Sequence, residues 1–178
     1  MIRWIALTVA GVLVAFGVVL AVQHRKEASV PRLVQEHKAA PSFELNTLDK
    51  KPISAQGLAG KTYVVNFWNS WCIPCRQEQG ALRSFYGAHR SDPDFGMVGI
   101  VRDDTEAAIR DYAGSNDITW PVAFDPNGSA GLGFGTTGQP ETYVISPTGV
   151  AACGAIGPVT ESELEQWLQI VRSGGVCA

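Results

Sequence analysis

The sequence predicts an α/β fold with a mixed sheet flanked by helices, and three observations carry that reading. Two strongly apolar segments, "TYVVNFWN" at 62–69 and "FGMVGIV" at 95–101, read as strands covered on both faces, and each precedes a stretch with helical signals. Two further strands, "ETYVIS" and "GVAACGAIG", are joined by the turn Pro147-Thr148-Gly149. Then Thr160 and Glu163 form a capping box that opens an amphipathic helix running to about Arg172. Alternating strands and helices followed by a hairpin and a last helix give a sheet with both parallel and antiparallel pairs.

The elements follow in chain order. Residues 4–22, "WIALTVAGVLVAFGVVLAV", carry no charge. At about 1.5 Å per residue, a helix of this length approaches the ~30 Å hydrocarbon core of a bilayer. A signal peptide has a shorter apolar region, and the cleavage pattern Val19-Leu20-Ala21 is weak, so an uncleaved anchor fits the length better. Arg3 precedes it and Arg25 and Lys26 follow, a balance that gives no support from charge for exporting the carboxyl-terminal side. The expected organisation is a short segment at 1–3, a transmembrane anchor or signal peptide at 4–22, a polar tether at 23–40 and one globular domain at 41–178.

Within that domain, 42–54 reads as a hairpin turning at Asp49-Lys50. A helix is predicted from Pro74 to about His89, with Pro74 in its first turn. "DTEAAIRDYAG" reads as a second helix, capped by Asp104 and stopped at Gly114. A short strand at 121–124 and a weak Gly-rich helix at 129–134 complete the middle of the chain.

Net charge is −3 over 178 residues, and no basic run or basic–aromatic patch occurs, which argues against a nucleic-acid partner. The chemistry sits in "WCIPC". A structural zinc site needs four ligands, and Cys153, Cys177 and the three histidines provide no second pair at ligand spacing, so no metal is expected. Covalent haem attachment needs a histidine after the second cysteine, where this chain has Arg76. Cys72 falls at a strand-to-helix junction, where free amides and the helix dipole stabilise a thiolate. Cys75 lies on the same side of the first turn, within disulfide reach. Cys72 as attacking sulfur and Cys75 as resolving sulfur make a redox couple that needs no bound cofactor.

Strand–"WCIPC"–helix followed by "GQPETYVI" resembles the thioredoxin fold. The longer stretch "FELNTLDKKPISAQGLAGKTYVVNFWNSWCIPCRQE" is similar to the membrane-anchored thioredoxin-like proteins of cytochrome c maturation, the ResA/TlpA-like family. The resemblance covers about 41–172. It implies a thioredoxin-like fold with an N-terminal β-hairpin and a central helix–strand insertion. It also implies a cis peptide bond before Pro140 that faces the couple, an aromatic wall from Trp68 and Trp71 beside the couple, and substrate binding by Trp71, Pro74, Gln139 and Pro140.

The implied activity is thiol–disulfide exchange at the outer face of the cell membrane on protein disulfides or dithiols, such as those of apocytochrome c. An integral-membrane thiol carrier would supply the electrons. A disulfide-donating oxidase, and a non-catalytic binding or chaperone module, remain alternatives. The sequence departs from the pattern in three places. Asn66 stands where thioredoxins often carry a buried aspartate, Ile73 where some relatives place an acid, and Gly80 where the family usually has a kinking proline. Glu141 then becomes the nearest candidate for tuning Cys75 or meeting a partner. Cys153 and Cys177 either form a structural disulfide that clips the tail, leave a buried thiol and a free one, or link two molecules.

Overall fold

In the computed structural model the described residues are 16–17, 32–33 and 38–177. The chain divides into two units, Met1–Val30 and Pro31–Ala178, and the sheet with its helices belongs to the second. The predicted anchor, except Phe16 and Gly17, and most of the tether lie outside the described residues. Among the described residues no helix is long and apolar enough to cross a membrane.

Among the described residues eight strands form one sheet: β1 (Arg32–Leu33), β2 (Glu44–Thr47), β3 (Pro52–Ser54), β4 (Thr62–Phe67), β5 (Phe95–Val101), β6 (Val122–Phe124), β7 (Glu141–Ile145) and β8 (Ala151–Ile156). Their spatial order is β1-β8-β7-β4-β5-β6-β2-β3. β4, β5 and β6 run parallel, and the remaining pairs are antiparallel. Among the described residues of the second unit there are four α-helices, α1 (Ile73–His89), α2 (Glu106–Ser115), α3 (Ser129–Phe134) and α4 (Glu161–Arg172), and a 3-10 turn at Gln56–Leu58.

β4 is buried at every position, as a largely apolar central strand covered on both faces should be, with Asn66 as a polar residue within it. Its side chains alternate between two cores. Val64 joins Leu82 and Phe85 of α1 and Leu164, Trp167 and Leu168 of α4 on one face. Tyr63, Val65 and Phe67 join Phe134, Tyr143 and Ile145 on the other. A third cluster, containing Trp68, Cys72, Cys75, Val101 and Ile109, lies where the parallel strands end. Trp68 reaches it because residue 99 is glycine: a Cβ there would sit 2.6 Å from the Trp68 indole nitrogen.

Two sequence expectations change. The predicted tether is not free up to residue 40. β1 pairs with β8, the Ala40 amide donates to Gly149 at 2.7 Å, and the Ala151 amide donates to Lys38 at 3.0 Å. The incoming chain covers an edge of the sheet through backbone groups, and such pairing leaves no side-chain period to read. Second, α2 is capped by Thr105, whose hydroxyl accepts the Ala108 amide, because the Asp104 carboxylate is engaged elsewhere. The helix also runs through Gly114 to Ser115. At Gly80, where the family usually has a kinking proline, α1 continues unbroken through the exposed glycine.

Cys153 and Cys177 are joined in a disulfide that closes 24 residues of chain around α4. Both are buried, and the Cys177 amide donates to the Ala152 carbonyl at 2.9 Å, extending the clip by a backbone bond. Replacing both by alanine is expected to lower the unfolding free energy by about 3 kcal/mol, from the loop entropy restored to the unfolded chain. Urea unfolding of the double variant against the parent checks this; equal stabilities would mean the clip is energetically idle.

Candidate active site

β4 ends at Phe67, and the chain turns through Trp68, Asn69, Ser70 and Trp71 into α1. Cys72 caps that helix with extended backbone (φ −75°, ψ 109°), and its sulfur accepts the Cys75 amide at 3.2 Å. Pro74 is the second residue of α1, where a missing N–H costs no helical hydrogen bond. Cys72 and Cys75 are disulfide-bonded with 5.2 Å between their Cα atoms. Cys72 retains 5 % exposure and Cys75 none. The outward sulfur is therefore the one a partner meets first.

Across from it the Gln139–Pro140 peptide bond is cis, and the Gln139 carbonyl oxygen lies 3.7 Å from Cys72 Sγ. Pro140 is buried and Gln139 partly exposed, so an extended segment laid beside Cys72 would run along the Gln139 backbone. Trp71 is 54 % exposed beside the couple, its indole N–H donating to the Asp103 carbonyl at 2.8 Å. Ile73, between the cysteines, is 69 % exposed. Trp68 is buried, packs against Tyr112 with ring centroids 5.6 Å apart and shares a core cluster with Cys72 and Cys75.

Beneath the couple lies a carboxyl group that the sequence reading passed over. Glu78 follows Cys75 by one helical turn and faces the same side, 2 % exposed. Its Oε1 accepts the Asn66 amide group at 2.9 Å and its Oε2 accepts the Val159 backbone amide at 3.0 Å. Asn66 also donates to Thr142 Oγ1 at 2.9 Å. Burial pushes the Glu78 carboxyl up to about 8, against the lowering pull of the Val159 amide and the Asn66 side chain. Asn66 therefore does not replace a titrating group; it holds one.

Glu141, the acid expected to tune Cys75, is buried on the opposite face of the sheet. Its Oε1 accepts the amides of Thr137 and Gly138 at 2.7 and 3.0 Å, and its Oε2 accepts the Tyr143 hydroxyl at 2.8 Å. Strand alternation explains this: Thr142 faces Asn66, so its neighbours Glu141 and Tyr143 face the other way. Glu141 fastens the turn that carries Gln139 and Pro140 instead. The signal for Glu78 was available in the sequence. It falls on the buried stripe Cys75, Glu78, Gln79, Leu82, Phe85, where an acid sits on a helix face otherwise free of charge.

A model of the AhpC/TSA family matches residues 37–152. The chain belongs to this family. The thioredoxin-like protein YneN of Bacillus subtilis is 31% identical over 138 residues, covering 77% of this chain and 81% of that protein. The thiol-disulfide oxidoreductase ResA of Bacillus cereus is also 31% identical, over 76% of this chain and 78% of the relative. Among solved structures, StoA from Bacillus subtilis superposes with a TM-score of 0.65 at 27% identity, covering 74% of this chain and 99% of that one. A thioredoxin-family thiol:disulfide interchange protein from Chlorobium tepidum gives 0.67 at 29% identity, over 78% and 97%. With its Cys72–Cys75 pair at the head of α1, this member of the family is a thiol–disulfide oxidoreductase of thioredoxin-like fold.

Proposed function

We propose that the protein reduces disulfides in extracytoplasmic proteins, apocytochrome c among them, while tethered to the membrane by residues 4–22. The observation that carries the reading is the asymmetry of the couple: Cys72 keeps a sliver of exposure and faces Gln139, while Cys75 is fully buried one helical turn before Glu78. The second, buried disulfide supports an oxidising compartment outside the cytoplasm, where such bonds persist.

The reaction starts from the dithiol. Cys72 thiolate attacks a sulfur of the partner's disulfide, forming a mixed disulfide and expelling the partner's other sulfur as thiolate. Cys75 then loses its proton and attacks Cys72 Sγ, which expels the partner's second thiolate. Two electrons pass to the partner, its thiolates take up two protons, and the Cys72–Cys75 disulfide remains. Glu78 is the group placed to take the Cys75 proton. Only its ionised form can accept that proton, so this step is expected to quicken as pH rises toward 8. A reduced dithiol carrier in the membrane would restore the starting state. Both reacting atoms are protein sulfurs, so the cycle requires no bound cofactor.

The reduction potential of the couple tests the direction, measured by equilibrating residues 31–178 in thiol buffers. A value near or below about −270 mV is expected of a reductase. A value near about −120 mV would make the same residues a disulfide donor and overturn the reading.

A further inference from the structure

The loop between β5 and α2 grips the active-site turn at two points. Ser70, two residues before Cys72, donates its amide to Asp104 Oδ2 at 2.7 Å. Trp71 donates its indole N–H to the Asp103 carbonyl. On the other side of the turn, Arg76 Nε donates to the Ser70 carbonyl at 2.5 Å, and its guanidinium lies 5.3 Å from the ring centroid of Tyr112 on α2. Asp104 Oδ1 accepts the Thr105 amide at 2.7 Å, so the carboxylate is locked from both sides. The residue that the sequence marks as a helix cap has been diverted to this task.

We propose that Asp104 is a positioning residue for Cys72, its carboxylate fixing the turn that presents the sulfur and its charge opposing the thiolate. The inference rests on the exchange chemistry proposed above. A fixed negative charge beside the turn disfavours a second one on Cys72, and a less stable thiolate makes a couple more reducing. The other charges around the turn leave this effect standing in part. Arg76 acts oppositely from α1, while Arg102 is paired with Asp103 at 3.1 Å and Glu106 with Lys50 and Arg110. Without the carboxylate, Arg76 would be the dominant charge at the turn.

The test is Asp104→Asn, near-isosteric and retaining one acceptor oxygen, with Asp104→Ala beside it. Thr105 remains to cap α2 in both. On reduced protein, the Cys72 thiolate is followed against pH by its ultraviolet absorbance. At a pH below the midpoint, the thiolate fraction is expected to rise roughly threefold to tenfold in Asp104→Asn, as a shift of half to one unit would give. The equilibrium with glutathione should move toward the dithiol in the same sense. Thiolate titrations unchanged in both variants would overturn the inference. In the parent protein the Ser70 amide should also exchange slowly with solvent, and free exchange would overturn the clamp without reference to any variant. The thiolate titration involves no substrate. A parent protein that fails to reduce disulfides would therefore sink the proposed function while leaving this result readable.

Discussion

Cys72→Ser is expected to lower the rate of disulfide reduction by at least about a thousandfold, because a serine hydroxyl is not ionised near neutrality and cannot replace the attacking thiolate. Cys75→Ser should behave differently. The first attack still occurs, since Cys72 keeps its place as helix cap, but nothing then resolves the product. A mixed disulfide with the substrate should accumulate, visible as a mass increase under non-reducing conditions. The two variants together also separate enzyme from scaffold. Full biological function without Cys72 would mean that the protein works by binding alone, whatever its chemistry in the test tube.

Glu78→Gln carries the second large effect, and it is a pH effect. In the unfolded chain the carboxyl titrates in the ordinary range near 4.5; in the folded protein burial holds the proton up to about 8. Between those values the folded state carries a proton that the unfolded state has released. Stability contributed by this group is therefore complete below about 4.5 and is lost as pH rises toward 8, at up to about 1.4 kcal/mol per pH unit. Above 8 both states are ionised and the dependence ends. The variant has no such proton, so its stability should be flatter across the window and should exceed the parent's most clearly near pH 8. Fold retention is expected, because the Asn66 carbonyl oxygen has no partner and can accept from the new amide once the Asn66 side chain turns over. Denaturant unfolding at pH 5, 6.5 and 8 measures the difference. Identical pH profiles would mean that Glu78 does not hold its proton in the fold. The same variant should slow release of the mixed disulfide, since Cys75 loses its proton acceptor.

Much of this molecule is legible from residue pattern alone. The central strands announce themselves because Val64, Val65 and Phe67, or Met97, Val98 and Ile100, leave no polar face. The capping box at Thr160 forms as written, with its hydroxyl accepting the Glu163 amide and Glu163 reaching back to the Thr160 amide. What escapes the pattern is decided by long-range partners. Asp104 is a good cap by type, yet Ser70, thirty-four residues away in sequence, claims its carboxylate. Glu141 is near Pro140 in the chain but on the wrong side of the sheet from Cys75, a matter of strand parity. Glu78 was legible in principle, as an acid on a buried helix stripe. The alternation of types at 32–40 says nothing of pairing, because β1 is held by its backbone.

Two of the buried acids, Glu78 and Glu141, flank one short stretch of strand from opposite faces, the sheet lying between them. Acid–base behaviour and the shape of the docking edge are thus carried by separate residues in separate compartments of the fold. Such a division lets a lineage retune the working pH at one carboxyl without redrawing what it recognises. It equally lets the loop before Pro140 drift toward new partners while the chemistry stays as it was.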